Sequence, residues 1–580
     1  MFKEYYEKEI HALRELTVEF SRAHPALAPM LTGAGTDPDV ERLLEGTAFL
    51  SAMVNQRLDD EFPEVIYGLM QLILPHYLAP RPSSVIMRFK PAKTLRERLL
   101  VPKGTQIDSI EVEGVRCTFE TAWDVELHPI GIADVKPDCT VGEPGFVRIG
   151  FDIGGGGLEN WRGEGLRLYM AGPYGQASNR LKFLLETVSH IRLRDGLGNS
   201  AILDRGALHH NCFDEKHRLI TPCGASFPGY QLLQEYFILP EKFLFLDVAG
   251  LKQALSDFGG SRLEVEFVID ASAARIPDFD LNSFVLFACP AINLFDHPAE
   301  PISLDHRMPE YRVRPLDNAQ EALVIHSLKR VSGALQGRAE TREYQPFGQL
   351  NLSARFTPTY FVNTRPSRLK QDMETWISVA YSRGEEKAIS EPVREILSVD
   401  LRCCNGERAE MLRYGDISRA TDSSPPLARF ENITLPSAYV HPPDSQDILW
   451  RLLSHLHLNL LAIADAGKLK ALIGLYVFAG LSDRSKVLAN VKRVEAVQEL
   501  SVEPSIHMHQ GGLLKGLAID LQAVGNGFSS PGDFYLFGVI MDHFLAGYAA
   551  MNTFTKLTLT ELGSKERFEW PIRLGSRQLL

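Results

Sequence analysis

The sequence of 580 residues has no apolar run long enough to cross a bilayer. The most extended one, 471–481, stops after about a dozen residues, short of the ~18 that a spanning helix needs. The opening Met1-Phe2-Lys3-Glu4-Tyr5-Tyr6 has neither a basic nor an apolar leader segment, so no secretory signal is expected and a cytoplasmic chain is. Cysteine is sparse, seven in all, and scattered, which points to reduced thiols rather than a disulfide framework. Positive charge is in deficit: 61 Lys and Arg face 73 Asp and Glu, for a net charge of −12. A chain so charged cannot release phosphate counterions as a nucleic-acid coat does, so nucleic acid is not an expected partner. Internal repeats and low-complexity segments are absent as well.

Catalytic signatures are also missing. There is no HExxH and no GxSxG, and no cysteine sits in a protease context. The glycines 154–157 are not followed by Lys-Ser or Lys-Thr, so they read as a flexible tip between strands rather than a phosphate loop. His209, His210, Cys212, His217 and Cys223 carry metal-compatible atoms, but not in two tight pairs as a zinc knuckle requires. His455/His457 and His507/His509 are lone His-x-His pairs, and the adjacent Cys403 and Cys404 cannot easily chelate one ion together. The carboxylates Asp59, Asp60, Glu61 and Glu64 read as a solvated helix end followed by a helix start. No metal or cofactor is expected, and no enzyme activity.

Hydrophobic and charged residues make up 45% and 23% of the chain, ordinary values for folded protein, and the 45 Gly and 34 Pro predict many turns. Phe2, Tyr6, Leu13, Leu16 and Phe20 recur at helical spacing, widened by Tyr5 and Ile10, with Pro25 and Pro29 as stops. A second helix is predicted from Asp37 and Pro38, with the stripe Val40, Leu43, Leu44, Thr47, Leu50, Val54 and Leu58. Proline disfavours helix in the residue before it, so Phe62 marks a boundary and Pro63 opens a third helix, apolar all round and therefore buried. From Ser84 short strands bounded by Gly and Pro take over, among them 85–89, 146–149, 166–170, 263–269, 322–325 and 376–380. Helical spacing returns over 447–464, 469–477, 482–491 and 534–551. The expected fold class is α+β and multidomain: an N-terminal helical bundle segment, β-rich middle domains and a mixed C-terminal domain. The expected boundaries are 1–82 helical, 83–300 and 301–412 β-rich, 413–444 a Pro-rich connector or wrapped loop, and 445–580 mixed.

A series of collinear blocks resembles one family. They begin with Phe2-Lys3-Glu4-Tyr5-Tyr6, Leu13-Arg14-Glu15-Leu16 and Ala23-His24-Pro25. Asp37-Pro38-Asp39-Val40-Glu41-Arg42, Leu58-Asp59-Asp60-Glu61-Phe62-Pro63-Glu64 and Leu74-Pro75-His76-Tyr77 follow. The middle adds Ile292-Asn293-Leu294-Phe295, Ala299-Glu300-Pro301-Ile302 and Glu310-Tyr311-Arg312-Val313. Trp450-Arg451-Leu452-Leu453, Asp542-His543-Phe544 and Asn552-Thr553-Phe554 complete the series. Together they resemble the TssF (ImpG, VasA) proteins, baseplate subunits of type VI secretion systems. A second likeness is local: Val101-Pro102-Lys103-Gly104-Thr105 with Cys117-Thr118-Phe119-Glu120-Thr121 is similar to the wedge proteins of contractile phage tails. Where the family shows a Cys-Thr-Asn-like block, this chain reads Cys403-Cys404-Asn405-Gly406-Glu407, so no role is carried onto it.

The resemblance implies structural work. Two copies of such a chain pair with one TssG to form a wedge. Wedges associate with TssK and TssE into a ring around the VgrG spike, on which the contractile sheath and tube assemble. By this likeness Phe2, Tyr5, Tyr6, Leu13, Leu16 and Phe20 face partner helices in a shared bundle, and the C-terminal region links wedges. Asp59, Asp60, Phe62 and Pro63 shape a bend between helices. The alternative from another class is a cytoplasmic metal-dependent hydrolase with a β-rich body. A carbohydrate-binding module is disfavoured because aromatic platforms such as Trp123 and Trp161 are sparse.

Overall fold

A computed structural model describes residues 2–23, 38–73, 75–138, 144–220, 228–270, 276–316, 323–335, 341–347, 358–366, 373–380, 395–442, 465–478, 483–509 and 512–575. It is α+β and multidomain. Helix α1 spans Phe2–Ala23 and helix α2 spans Pro38–Ile73. After a single helical turn at Pro75–Leu78 the chain enters its β-rich body. The expected N-cap Asp37 and the expected helix over 447–464 lie outside the described residues.

The break expected at Phe62 is not there. α2 runs through Pro63 as one helix of 36 residues. A proline deletes one N–H and crowds one carbonyl, at a cost of about 3 kcal/mol. With long helical stretches on both sides that local penalty is outweighed, and no separate third helix starts at Pro63.

The first sheet has six strands in the order Ile417–Ala420, Gln106–Val112, Val115–Thr121, Ala288–Ile292, Ser84–Pro91 and Ala428–Asn432. Its two edges therefore come from the stretch expected to be a connector. That stretch folds back because Phe430 pairs with Phe89 across the ladder and buries against it. A five-stranded antiparallel sheet centres on Arg262–Ile269, flanked by Val188–Asp195 and Phe146–Ile153. The acidic polar face of its central strand is answered across the ladder. Glu266, buried, sits between Arg148 at 3.1 Å and Arg192 at 3.2 Å. Charge pairs directly opposite one another in this way are a recurrent stabilising unit of sheets.

Residues 295–404 form a distinct unit, an antiparallel sheet with one parallel pairing and a core of its own around Leu304, Val331, Ile377, Val399 and Leu401. The expected boundary at 300 falls inside this unit, since Phe295–Pro298 already pairs with Glu395–Cys404. The rest of the body shares one larger core.

Glycines 154–157 are a packed turn rather than a flexible tip. Gly155, Gly156 and Gly157 have φ of 68°, 113° and 83°, a region that L side chains avoid. A Cβ on Gly155 would lie 2.5 Å from the carbonyl oxygen of Arg96. The turn delivers Leu158 into the core.

Helices α3 (Tyr174–Thr187) and α4 (Pro228–Ile238) cover the body where the C-terminal region docks. That region contributes α5 (Ala466–Gly474), α6 (Arg484–Glu495) and α7 (Pro531–Ala546). Its sheet is built on the ribbon Val497–His509/Gly512–Ala523. Gly512–Ala523 pairs in parallel with Thr553–Glu561, and α7 is the crossover between them. α7 is buried along most of its length, as its nearly all-apolar sequence requires.

Candidate assembly interface

α1 and α2 pack as a helical hairpin. Their shared seam combines apolar side chains with small and polar ones. On α1 it carries Tyr6, Ile10, Leu13 and Thr17, half-buried, and Ser21, buried. On α2 it carries Val40, Leu44 and Asn55, half-buried, with Ala48 and Ala52 fully buried. Both sets recur at three- and four-residue steps, so each lies on one helical face. Alanines at the contact let the helix axes approach closely. The hydroxyls of Thr17 and Ser21 donate back to the carbonyls of Leu13 and Thr17, at 2.7 and 2.8 Å, so the seam leaves them satisfied. Asn55 donates to Glu9 at 2.8 Å, and Arg14 pairs with Glu41 at 3.5 Å.

A second set of large apolar side chains points away from this seam. Leu43, Phe49, Leu50, Met53 and Val54 of α2 are between 47% and 71% exposed. At about 100° per residue Leu43, Leu50, Met53 and Val54 occupy the arc opposite Ala48 and Ala52, and Phe49 lies at its flank. α2 is thus apolar on two faces, one taken by α1 and one exposed among the described residues. On α1, Leu16 and Phe20 are also exposed, and an open groove is lined by Leu13, Leu16, Thr17, Glu19, Phe20 and Ala23. Exposed apolar side chains grouped on one helical arc are a candidate docking surface. Covering the five outer residues of α2 is worth on the order of 10 kcal/mol of transfer free energy.

The residues expected to bind partners divide between these faces. Tyr5, Tyr6 and Leu13 are half-buried, with Tyr6 and Leu13 in the seam, while Leu16 and Phe20 are exposed. Phe2 lies in α1, with its side chain outside the described atoms. Asp59, Asp60, Phe62 and Pro63 lie within continuous α2, so they do not mark a junction between two helices. Leu43, Leu50 and Val54 were expected on a packing stripe and are instead on the open face. Phe49 and Met53 were missed altogether. The available signal was their i,i+4 spacing beside Leu50, which widens the apolar arc past a single stripe.

The histidine and cysteine segment is occupied with structural contacts. His210 Nε2 lies 2.8 Å from the carbonyl oxygen of Phe243. His217 Nδ1 lies 2.6 Å from the carbonyl oxygen of Asn211, and its Nε2 lies 3.1 Å from Arg167. Burial, aided by the Arg167 charge, lowers His217 to about 4. Burial pushes the Cys212 thiol up to about 12, and those of Cys403 and Cys404 likewise. Cys223, His455 and His457 lie outside the described residues. Among the described residues, no three His, Cys, Asp or Glu side chains are grouped to hold a metal ion. No described helix is long and apolar enough to cross a membrane.

Comparison with known proteins agrees over nearly the whole chain. Residues 1–577 match the family described as "Type VI secretion system, TssF". The type VI secretion system component TssF1 of Pseudomonas aeruginosa is 29% identical over 631 aligned positions, covering 99% of this chain and 98% of that protein. A chain from the cryo-electron microscopy structure of a TssK-TssF-TssG baseplate subcomplex is 26% identical, with a TM-score of 0.77 over 92% of this chain and 98% of that one. A chain from a type VI baseplate complex, 24% identical with a TM-score of 0.60 over both full lengths, shares the fold. Nothing in these likenesses supports the hydrolase alternative. The chain belongs to the TssF family of type VI secretion system proteins.

Proposed function

We propose that this chain is a non-catalytic scaffold of a type VI secretion baseplate. Two copies join one TssG in a wedge, and the α1–α2 hairpin contributes to a helical bundle shared among them. The wedge binds TssK and TssE, and wedges close around the VgrG spike in the cytoplasm, held at the inner membrane by other subunits. Contraction then rearranges interfaces of this kind, driven by energy stored in the sheath.

The observation that carries this reading is the second apolar face of α2. A helix with one side packed on α1 and the other side lined by exposed Leu43, Leu50 and Val54 is half of an interface. Obligate interfaces commonly bury over ~2,000 Å² and resemble a domain core cut in half. Membership of the TssF family, and a structural relative solved with TssK and TssG, support those two partners in particular. The second copy, TssE and VgrG extend the same assembly.

Leu43→Asp or Leu50→Asp tests the assignment. Both residues are already in water, so the isolated chain is expected to keep its thermal midpoint. Capture of co-expressed TssG falls at least about 100-fold, because an unpaired carboxylate is buried in the contact. Undiminished capture by both variants refutes the role of this face.

A further inference from the structure

The unit 295–404 is an insertion: the chain leaves the first sheet after Ile292 and returns to it at Ile417. Two sequence blocks that no function absorbed, at Asn293 and at Asn405, meet where it leaves and returns. They are 112 residues apart and both buried. Asn293 Nδ2 donates to Asn405 Oδ1 at 2.7 Å, and Asn405 N donates to Asn293 Oδ1 at 2.8 Å. Asn293 Nδ2 also donates to the carbonyl of Thr118 at 2.8 Å. Next to this pair Arg402 grips Glu120 through two bonds of 2.8 and 3.2 Å. Thr118 and Glu120 belong to the first sheet, so amide and ion-pair contacts together fasten the insert's neck to the body.

The hydrophobic cores on the two sides of this neck are separate. A change of angle at the neck therefore acts on these polar contacts and on the few buried apolar side chains beside them, Ile292, Leu294 and Cys404, and leaves both cores intact. The pose is also polar-imperfect, since Asn405 Nδ2 is buried with no hydrogen-bond partner among the described residues. Turning at the neck would give that donor water. The insert also touches α2, along the strand Thr359–Pro366. Besides the neck, the insert thus also rests on the helix that carries the exposed apolar face.

We propose that Asn293, Asn405 and the Arg402–Glu120 pair form a polar clasp that fixes the angle of the insert, and that the insert turns as one body when the clasp opens. The clasp is a conformational device independent of which partners the hairpin binds.

Spectroscopic probes placed as unnatural amino acids at Ile202 on the body and Ile396 on the insert, both exposed, read the angle in the full-length chain. The native chain gives one narrow distance distribution. Asn405→Ala and Arg402→Ala each broaden it about two-fold or add a second distance, as a released hinge does. Amide protection of the insert strands 324–335 and 395–404 stays at the native level. The milder Glu120→Gln gives a smaller change of the same kind, should either alanine variant fail to fold. An unchanged distribution in all variants overturns the proposal. So does broadening that appears only with loss of amide protection in the insert, because the clasp would then be part of a single core.

Discussion

His217 is held in one tautomer from two directions. Its Nδ1–H donates to the Asn211 carbonyl, which leaves the Nε2 lone pair to accept from Arg167. Protonation would set an N–H against that guanidinium inside the core. The folded-state value of about 4 lies below the ordinary 6.5. The contribution is therefore complete above about 6.5 and is lost as pH falls toward 4, because only the unfolded chain takes the proton. The expected slope is about 1.4 kcal/mol per pH unit across that window. Denaturant midpoints at pH 7, 6 and 5 check this: His217→Gln starts lower at pH 7 and falls less steeply. A native slope in the variant contradicts the assignment. Asp542 acts with the opposite sign. Burial raises it to about 6 although Arg573 contacts it, so its contribution is greatest at low pH and is lost as pH rises through 6. Asp542→Asn should abolish that contribution and leave the His217 slope intact. Neither feature was legible in the sequence, where His217 stood only as a member of a weak metal cluster. What decides it is the guanidinium of Arg167, brought from 50 residues away, acting with a local carbonyl, that of Asn211.

Among the elements, α7 shows how the C-terminal region is fixed to the body. Asp533 in its first turn is fully buried and accepts from Arg493 of α6 at 2.9 and 3.1 Å. It also accepts from Tyr174 of α3 at 2.9 Å and Tyr236 of α4 at 3.2 Å. One carboxylate thus ties four helices together. Asp533→Ala leaves Arg493 and two tyrosines without their acceptor, and removal of one partner from a buried pair costs about 3–5 kcal/mol. The expected result is a loss of that size in calorimetric stability, with the C-terminal region exchanging its amides first. A loss under about 1 kcal/mol would show that the network is not what joins the regions. The apolar character of α7 was readable from 534–551, and the strands at 85–89, 263–269 and 376–380 were readable from composition. Pro63 misled because a local rule about Phe62 cannot weigh the long helical stretches on either side of it. The two-faced α2 was half legible: its stripe was seen, but a sequence does not say which stripe the neighbouring helix takes.

For the whole molecule, order along the chain hid the topology. The Pro-rich stretch after Arg413 looked like a link between regions, yet Ile417–Ala420 and Ala428–Asn432 are the edges of the first sheet. Closing that sheet around an insert requires pairings more than 300 residues apart, such as Gln106 with Ser423 and Ser84 with Ser437. No periodicity announces such contacts. The family likeness, by contrast, was legible because its blocks extend from the hairpin to Phe554. The proposed assembly surface draws on both levels: the family likeness points to the kind of partner, and the outward face of α2 is the contact we propose for it. Tyr6→Asp and Leu13→Asp act on the seam itself and should lose both hairpin helicity and partner binding, with the β-rich body still folded. Wild-type assembly by either variant would show that the hairpin is not needed.

As proposed, this chain works through interfaces, two copies to one TssG. Co-expression with TssG followed by light scattering on the purified species measures it directly. The expected result is one stable complex with the mass of two copies of this chain and one of TssG, lost in Leu50→Asp. A lone monomer that ignores TssG, or a complex that forms equally well with Leu50→Asp, would contradict it.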